Sequence, residues 1–329
     1  MSMFGSASFL WQNAITMKTR PSFELAVLGR KVRLGSRTII LGVLNTTPDS
    51  FSDGGLYLDS DAAISRGIEM VSQGADWIDV GGESTRPGSQ SISAEEEAER
   101  VLPVIRGLRR KLRRVPISID TTKATVAEQA VRAGASIVND ISGLRFDARV
   151  AEVAARRRIP LILMHLRGRP ENMQQRPFVR SIWRSIQGGL EGSIQRALAC
   201  GVRREQLIID PGLGFGKSRT QNYEILAQLG RLRNFRLPIL VGTSRKSFVR
   251  AAVEGEETRG ATRRKESRLA NPPVKPGCNT LAWLEFGDAA AVTAAILNGA
   301  HIVRVHDVEH ILPAVRLADA IVEAANRSR

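Results

Sequence analysis

The chain has 329 residues, 43% of them hydrophobic, and a formal net charge of +15. That content supports a large core and excludes a disordered chain, and the length fits one large domain or two ordinary ones. The two cysteines, Cys200 and Cys278, make neither a metal pair nor a disulfide framework, which fits a reducing cytoplasm, and no apolar run reaches the ~18 residues of a membrane span.

Residues 1–22 contain no acid and read as a plain tail, without the basic start and apolar core of a secretory signal. FELAVLGRKVRL (23–34) alternates around Gly29-Arg30 and predicts a β-hairpin, suited to plugging the amino-terminal mouth of a barrel. Eight short apolar runs follow, each reading as a buried parallel strand. Seven end in polar clusters: ILGVLNTTPDSFSDGG (40–55), WIDVGGESTRPGS (77–89), ISIDTTK (117–123), IVNDISG (137–143), IIDPGLGFGK (208–217), ILVGTSRKS (239–247) and IVRVHD (302–307). LILMH (161–165) ends more weakly. Helical patterns alternate with the strands, near 60–73, 93–112, 123–133, 147–157, 178–200, 221–230, 283–298 and 309–326. Ser93 and Glu96 form a capping box before the second of these. This order predicts an α/β fold, a (β/α)₈ barrel with the polar clusters gathered on its carboxyl-terminal face.

Residues 253–280 break the rhythm. They are charged, rich in Pro and Gly, and read as a surface insertion between the seventh and eighth strands. The basic clusters at Arg106–Arg114, Arg156–Arg158, Arg203–Arg204 and Arg259–Arg268 form no single stripe. They read as solvated faces, which disfavours nucleic acid as the partner.

The polar clusters carry the chemistry. Asn45 to Gly55 holds too many turn formers for helix or strand and is longer than a plain connection needs. Gly81 to Gly88 offers hydroxyls and Arg86, suited to an anion or a carboxylate. Asp120, Asn139 and Asp210 end strands and face one cavity, where they suit the N–H edge of a flat, nitrogen-rich ring; left unpaired there they would be costly. Gly212 to Lys217 is not a phosphate loop of the GxxxxGK[ST] kind, and its glycines read as allowing backbone to approach a ring. Ser244-Arg245-Lys246-Ser247 opens a helix and suits an anion. Arg304 and His306 lie on one side of the eighth strand, a costly pair unless an anion neutralises it.

Taken together, these motifs closely resemble dihydropteroate synthases, the folate-pathway enzymes targeted by sulfonamides. The likeness runs over roughly residues 25–252 and 280–325. It implies a cytoplasmic, homodimeric barrel that condenses 6-hydroxymethyl-7,8-dihydropterin diphosphate with p-aminobenzoate, by dissociative loss of diphosphate and attack of the amine. Carried over motif by motif, it implies that Asp120, Asn139, Met164, Asp210, Phe215 and Lys246 hold the pterin. Asn45, Thr85, Arg304 and His306 would hold the diphosphate, with Asn45 beside a Mg²⁺. Phe51, Thr85, Arg86, Pro87 and Ser247 would frame the p-aminobenzoate. Asp120, Lys246, Arg304 and His306 would carry the catalysis. The tail and the insertion fall outside the likeness. Rival readings are a pterin-binding methyltransferase barrel, a non-catalytic pterin-binding paralogue and a basic nucleic-acid binder. The methyltransferase has no use for Arg304, His306 and the Ser-Arg-Lys-Ser helix start.

Overall fold

The computed structural model describes residues 20–46, 56–85, 88–175, 180–254 and 280–327. Strands β1 (Phe23–Val27) and β2 (Arg30–Leu34) pair antiparallel, with Val27 opposite Arg30. The turn is therefore Leu28-Gly29, one residue earlier than the sequence suggests. Both residues have positive φ, 52° and 70°, the mirror-image turn whose twist matches paired strands.

Eight parallel strands follow: β3 (Ile39–Asn45), β4 (Trp77–Gly81), β5 (Ile117–Asp120), β6 (Ile137–Asp140), β7 (Leu161–Met164), β8 (Leu207–Asp210), β9 (Leu240–Gly242) and β10 (Ile302–Val305). Their order is β8-β7-β6-β5-β4-β3-β10-β9, and a parallel bridge between Ile209 and Ile239 joins the two ends. The helices are α1 (Leu56–Ser72), α2 (Ala94–Lys111), α3 (Ala124–Ala133), α4 (Arg149–Arg157), α5 (Ile182–Ala199), α6 (Arg219–Ala227), α7 (Ser247–Val253), α8 (Thr280–Leu297) and α9 (Val308–Arg327). The arrangement is the (β/α)₈ barrel expected from the strand rhythm. Most of the charged stretch between α7 and α8, residues 255–279, lies outside the described residues, as do residues 1–19.

The α2 cap is half of the expected box. Ser93 Oγ accepts from Glu96 N at 3.1 Å, but the Glu96 carboxylate turns to Arg100 one helical turn on. Arg20 is not part of a loose tail either. It is buried under the barrel, where its guanidinium bonds Thr38 Oγ1 at 2.7 Å, the Ala300 carbonyl at 3.0 Å and Asp319 at 2.9 Å.

Strand alternation sorts the barrel residues. Outward ones such as Ile78, Ile119, Val138 and Val303 join the helices in the main core. Inward ones stack in layers from alternate strands. Trp77, Ile137, Ile208 and Ile302 lie lowest, then Leu41, Ser118, Ile162 and Leu240. Leu25, Val27 and Leu34 of the hairpin pack against this apolar floor. The third layer is Asp79, Asn139, Asp210 and Arg304, and the fourth is Val43, Asp120, Met164 and Gly242. The lumen thus changes from apolar to charged halfway up, and everything above that level faces the carboxyl-terminal mouth.

Candidate active site

Four polar side chains in one buried layer are tolerable only if they satisfy each other. Asp79, with no exposed surface, does most of this. Its Oδ2 accepts from Arg304 Nε at 2.6 Å and from Asn139 Nδ2 at 3.0 Å. Arg304 Nη2 also donates to Asp120 Oδ2 at 2.7 Å. The anion expected to neutralise Arg304 is therefore already supplied within the protein, by two carboxylates. Burial alone would lower the Arg304 pKa, but Asp79 and Asp120 outweigh it and the net shift is upward. Asp120 is also raised, to about 7, but here burial is the cause and Arg304 pulls against it. One guanidinium between two carboxylates leaves a surplus negative charge in the lumen.

Above this layer lies a slot with about 350 Å³ of empty space out to its mouth. Asp120, Asn139, Met164, Asp210, Phe215 and Lys246 all line it, together with Thr85 and Arg304. The Lys246 ammonium stands 4.1 Å from the centre of the Phe215 ring, which closes one wall as a cation–π pair. Burial shifts the two charged walls in opposite senses, Asp210 up to about 6 and Lys246 down to about 8. The slot therefore offers carboxylate and amide acceptors on one side, an ammonium on another and apolar faces from Met164 and Phe215. That combination takes a flat ring with N–H donors on one edge.

The glycine loop lines the slot through Gly212 and is also packed from below. A Cβ on Gly212, whose φ is +67°, would lie 2.1 Å from the His165 carbonyl oxygen, so the loop is packed on the backbone after β7. Lys217 is buried and gives its ammonium to the carbonyls of Gly212 (2.7 Å), His165 (3.0 Å) and Phe215 (3.0 Å). Its pKa falls to about 7 through burial. It braces the loop from beneath.

Asn139 is the penultimate residue of β6, and the last, Asp140, ties the following turn by accepting from Ser142 N and Leu144 N, both at 2.8 Å. The helix after β9 starts only at Ser247. Ser244 sits before it and donates to Asp288 Oδ2 at 3.1 Å, while its Oγ lies 3.3 Å from His306 Nδ1. Asp288 also accepts from Arg245 N at 2.9 Å, holding a residue with φ of 58°. His306 lies just past β10 and does not line the slot, so it and Arg304 are less alike in placement than their spacing suggests. Asn45 ends β3 at the mouth, paired with Gly81 and half-buried. Phe51, Arg86 and Pro87 lie outside the described residues. Among the described residues, Glu285, Asp307 and His310 bring metal-type atoms within 4.8 Å of one another, in a partly exposed group, with His310 already 2.9 Å from Asp307, that does not include Asn45.

Asp79 is the residue of this charged layer that sequence reasoning passed over. The signal was present: a carboxylate inside the apolar run Trp77-Ile78-Asp79-Val80, on the same parity as Trp77, has to face the lumen.

Comparison with known proteins agrees with this geometry. The profile of the family described as pterin binding enzyme matches residues 41–306. The dihydropteroate synthase of Synechocystis sp. is 42% identical over 287 residues, covering 87% of this chain and 91% of the relative. The chain belongs to the dihydropteroate synthase family. Two solved members of that family share its fold. The Clostridium difficile synthase, crystallised in the presence of pteroic acid, aligns with a TM-score of 0.75 at 42% identity over 88% of this chain and 98% of the other. The Xanthomonas albilineans synthase with 4-aminobenzoic acid aligns with a TM-score of 0.77 at 35% identity over 92% and 98%. Dihydropteroate synthases are transferases, and this one is built with its polar lumen at the mouth where such barrels react.

Proposed function

We propose that the slot is the pterin site of this dihydropteroate synthase, which joins 6-hydroxymethyl-7,8-dihydropterin diphosphate to p-aminobenzoate and releases diphosphate. The observation that carries the reading is the convergence of Asp120, Asn139, Asp210 and Lys246 on one slot walled by Met164 and Phe215. Asp210 and Asn139 accept the N–H groups of the pterin edge, and Lys246 donates to a ring acceptor. Asp120 faces the carbon that loses diphosphate, where a carboxylate favours developing positive charge. Arg304 and His306 are read as the cations that meet the departing diphosphate. Thr85, Arg86, Phe51, Pro87 and Ser247 frame the arylamine. No covalent intermediate on the protein is required. Asn45 suits a hard ion, since it offers one neutral oxygen at the mouth and leaves the remaining positions to phosphate and water. A Mg²⁺ bound there would neutralise charge on the leaving group.

Two further parts of the reading are a homodimer and a cytoplasmic setting. Trp283 and Phe286 of α8 and Leu317 of α9 are 45%, 72% and 63% exposed, and α8 packs on α9, an apolar face suited to a second copy. The two cysteines fit a reducing compartment, and no helix among the described residues is long and apolar enough to cross a membrane.

The test is diphosphate release by the purified protein. Release should require both substrates together. Asp210→Ala should lower kcat/KM by about a hundredfold or more, the loss expected when a buried ring edge is left without its acceptor, with little change in melting temperature. Methyl transfer from a reduced folate, with no diphosphate-dependent condensation, would instead favour the methyltransferase reading.

A further inference from the structure

Asp79 of β4 has no exposed surface and does not line the slot, yet it decides what one slot residue offers there. Its Oδ2 accepts from Asn139 Nδ2 at 3.0 Å and from Arg304 Nε at 2.6 Å. An ionised carboxylate can only accept, whereas an asparagine amide has a donor end and an acceptor end of almost the same shape. Asp79 therefore holds the amide by its nitrogen. The other way round, two acceptor oxygens would face each other in a buried layer, which loses the hydrogen bond and adds repulsion. Asn139 is left with its oxygen for the slot that it lines. Asp210 stands in the same layer, on the next strand but one, and is also an acceptor. One of its oxygens takes Gly212 N at 2.7 Å, which leaves lone pairs on both. At these two points the slot meets a ring edge with acceptors only.

We propose that Asp79 is a specificity-determining residue that touches no substrate. By fixing the Asn139 amide as an acceptor, it makes the slot select a ring with an amino group between two ring nitrogens and reject the same ring with a carbonyl there. This rests on the reading of the slot as the pterin site. A 2-amino-4-oxo ring shows Asp210 its ring N–H and one amino hydrogen, and the second amino hydrogen is left for Asn139 Oδ1. A 2,4-dioxo ring sets a carbonyl against Asn139 instead, oxygen to oxygen. An unconstrained amide would turn over and donate to that carbonyl, and Asp79 prevents the turn.

The probes are 6-hydroxymethylpterin and its 2-oxo counterpart, 6-hydroxymethyllumazine, titrated by calorimetry into the whole protein. The wild type should prefer the pterin by about a hundredfold or more, since the lumazine leaves acceptors unpaired at both Asp210 and Asn139. In Asp79→Asn the introduced amide can donate to Asn139 Oδ1, both amides turn together, and the preference should shrink by about tenfold. Loss of packing, or of the carboxylate that steadies Arg304, would weaken both rings alike and leave their ratio where it was. An unchanged ratio in folded Asp79→Asn therefore overturns the proposal. Asn139→Ser is the second variant, with a hydroxyl that both donates and accepts while Asp79 stays in place. It should relax the ratio by a similar factor, and adding Asp79→Asn to it should relax the ratio no further. An unchanged ratio in Asn139→Ser overturns the proposal whether or not Asp79→Asn folds, and so does a double variant in which the two effects multiply. A wild type that binds neither ring refutes the pterin reading and this inference with it. A wild type that binds both rings equally leaves the pterin site standing and overturns the inference alone.

Discussion

Asp210 and Lys246 are displaced toward each other from opposite ends of the pH scale, and for both the largest cause is loss of water. The carboxyl rises to about 6 and the ammonium falls to about 8. On the proposed reading both groups work in their charged forms, the carboxylate as acceptor and the ammonium as donor to the ring. Below about 6 Asp210 takes up a proton and the acceptor is lost; above about 8 Lys246 gives one up and the donor is lost. The kcat/KM for pterin diphosphate, which reports the free enzyme, should therefore be bell-shaped with limbs near those values. Asp210→Asn should flatten the acid limb and Lys246→Gln the alkaline one. Limbs that stay in place in both variants would belong to other groups and would sink the assignment. Most of these wall residues were legible in the sequence, because a polar residue closing an apolar strand can only face the barrel mouth. What spacing does not carry is which polar groups answer which. Arg304 reads as waiting for an anion until Asp79 and Asp120 are seen on it, and Lys217 reads as part of a ligand loop until its three carbonyl partners are seen.

The hairpin of β1 and β2 shows the same limit one level up. Its alternation and its place before the first barrel strand predicted a plug, and Leu25, Val27 and Leu34 do seal the floor against Trp77, Ile137, Ile208 and Ile302. Its turn sits one residue earlier than expected, because Leu28 as well as Gly29 adopts a positive φ, which side-chain preference reserves for glycine. The capping box of α2 was half lost in the same way: the Ser93–Glu96 spacing read as a closed box, while Arg100 offered the Glu96 carboxylate a stronger partner. The plug separates stability from catalysis, since it closes the end of the barrel opposite the slot. Leu25 is 1% exposed, and Leu25→Ala should cost about 2–5 kcal/mol. Thermal melting should fall by several degrees with kcat/KM held within about twofold. A parallel loss of activity at a temperature where the variant is fully folded would mean that the floor transmits to the slot.

The charge of the whole molecule, +15, bears on catalysis through where some of it stands. Arg145 follows β6, and its guanidinium is held by the carbonyls of Ser142 and Gly168, at 3.2 and 2.9 Å. Arg196 of α5 is held by the Gly143 carbonyl and Ser193 Oγ, at 2.9 and 3.1 Å. Arg169 stacks on Phe146, its guanidinium carbon 4.6 Å from the ring centre, and Phe146 packs in the cluster that contains Met164 and Phe215 of the slot. Crowding is felt at Arg145, whose pKa is lowered by burial first and then by Arg196 and Arg169. Partners of these kinds fix a guanidinium without cancelling its charge, so these three arginines set positive charge beside the slot, above the acidic lumen. The diphosphate substrate is a multiply charged anion and p-aminobenzoate carries a single charge. A field of this kind raises encounter rates by about 10- to 1,000-fold in favourable cases, and salt screens it within about 8–10 Å at physiological strength. Raising ionic strength from about 0.05 to 0.5 M should therefore lower kcat/KM for the pterin diphosphate several-fold, lower that for p-aminobenzoate less, and leave kcat nearly unchanged. Arg145→Gln with Arg169→Gln should flatten the first dependence. An equal salt dependence for both substrates, or a slope that survives the double substitution, would show that these arginines serve only to pack the two loops they join.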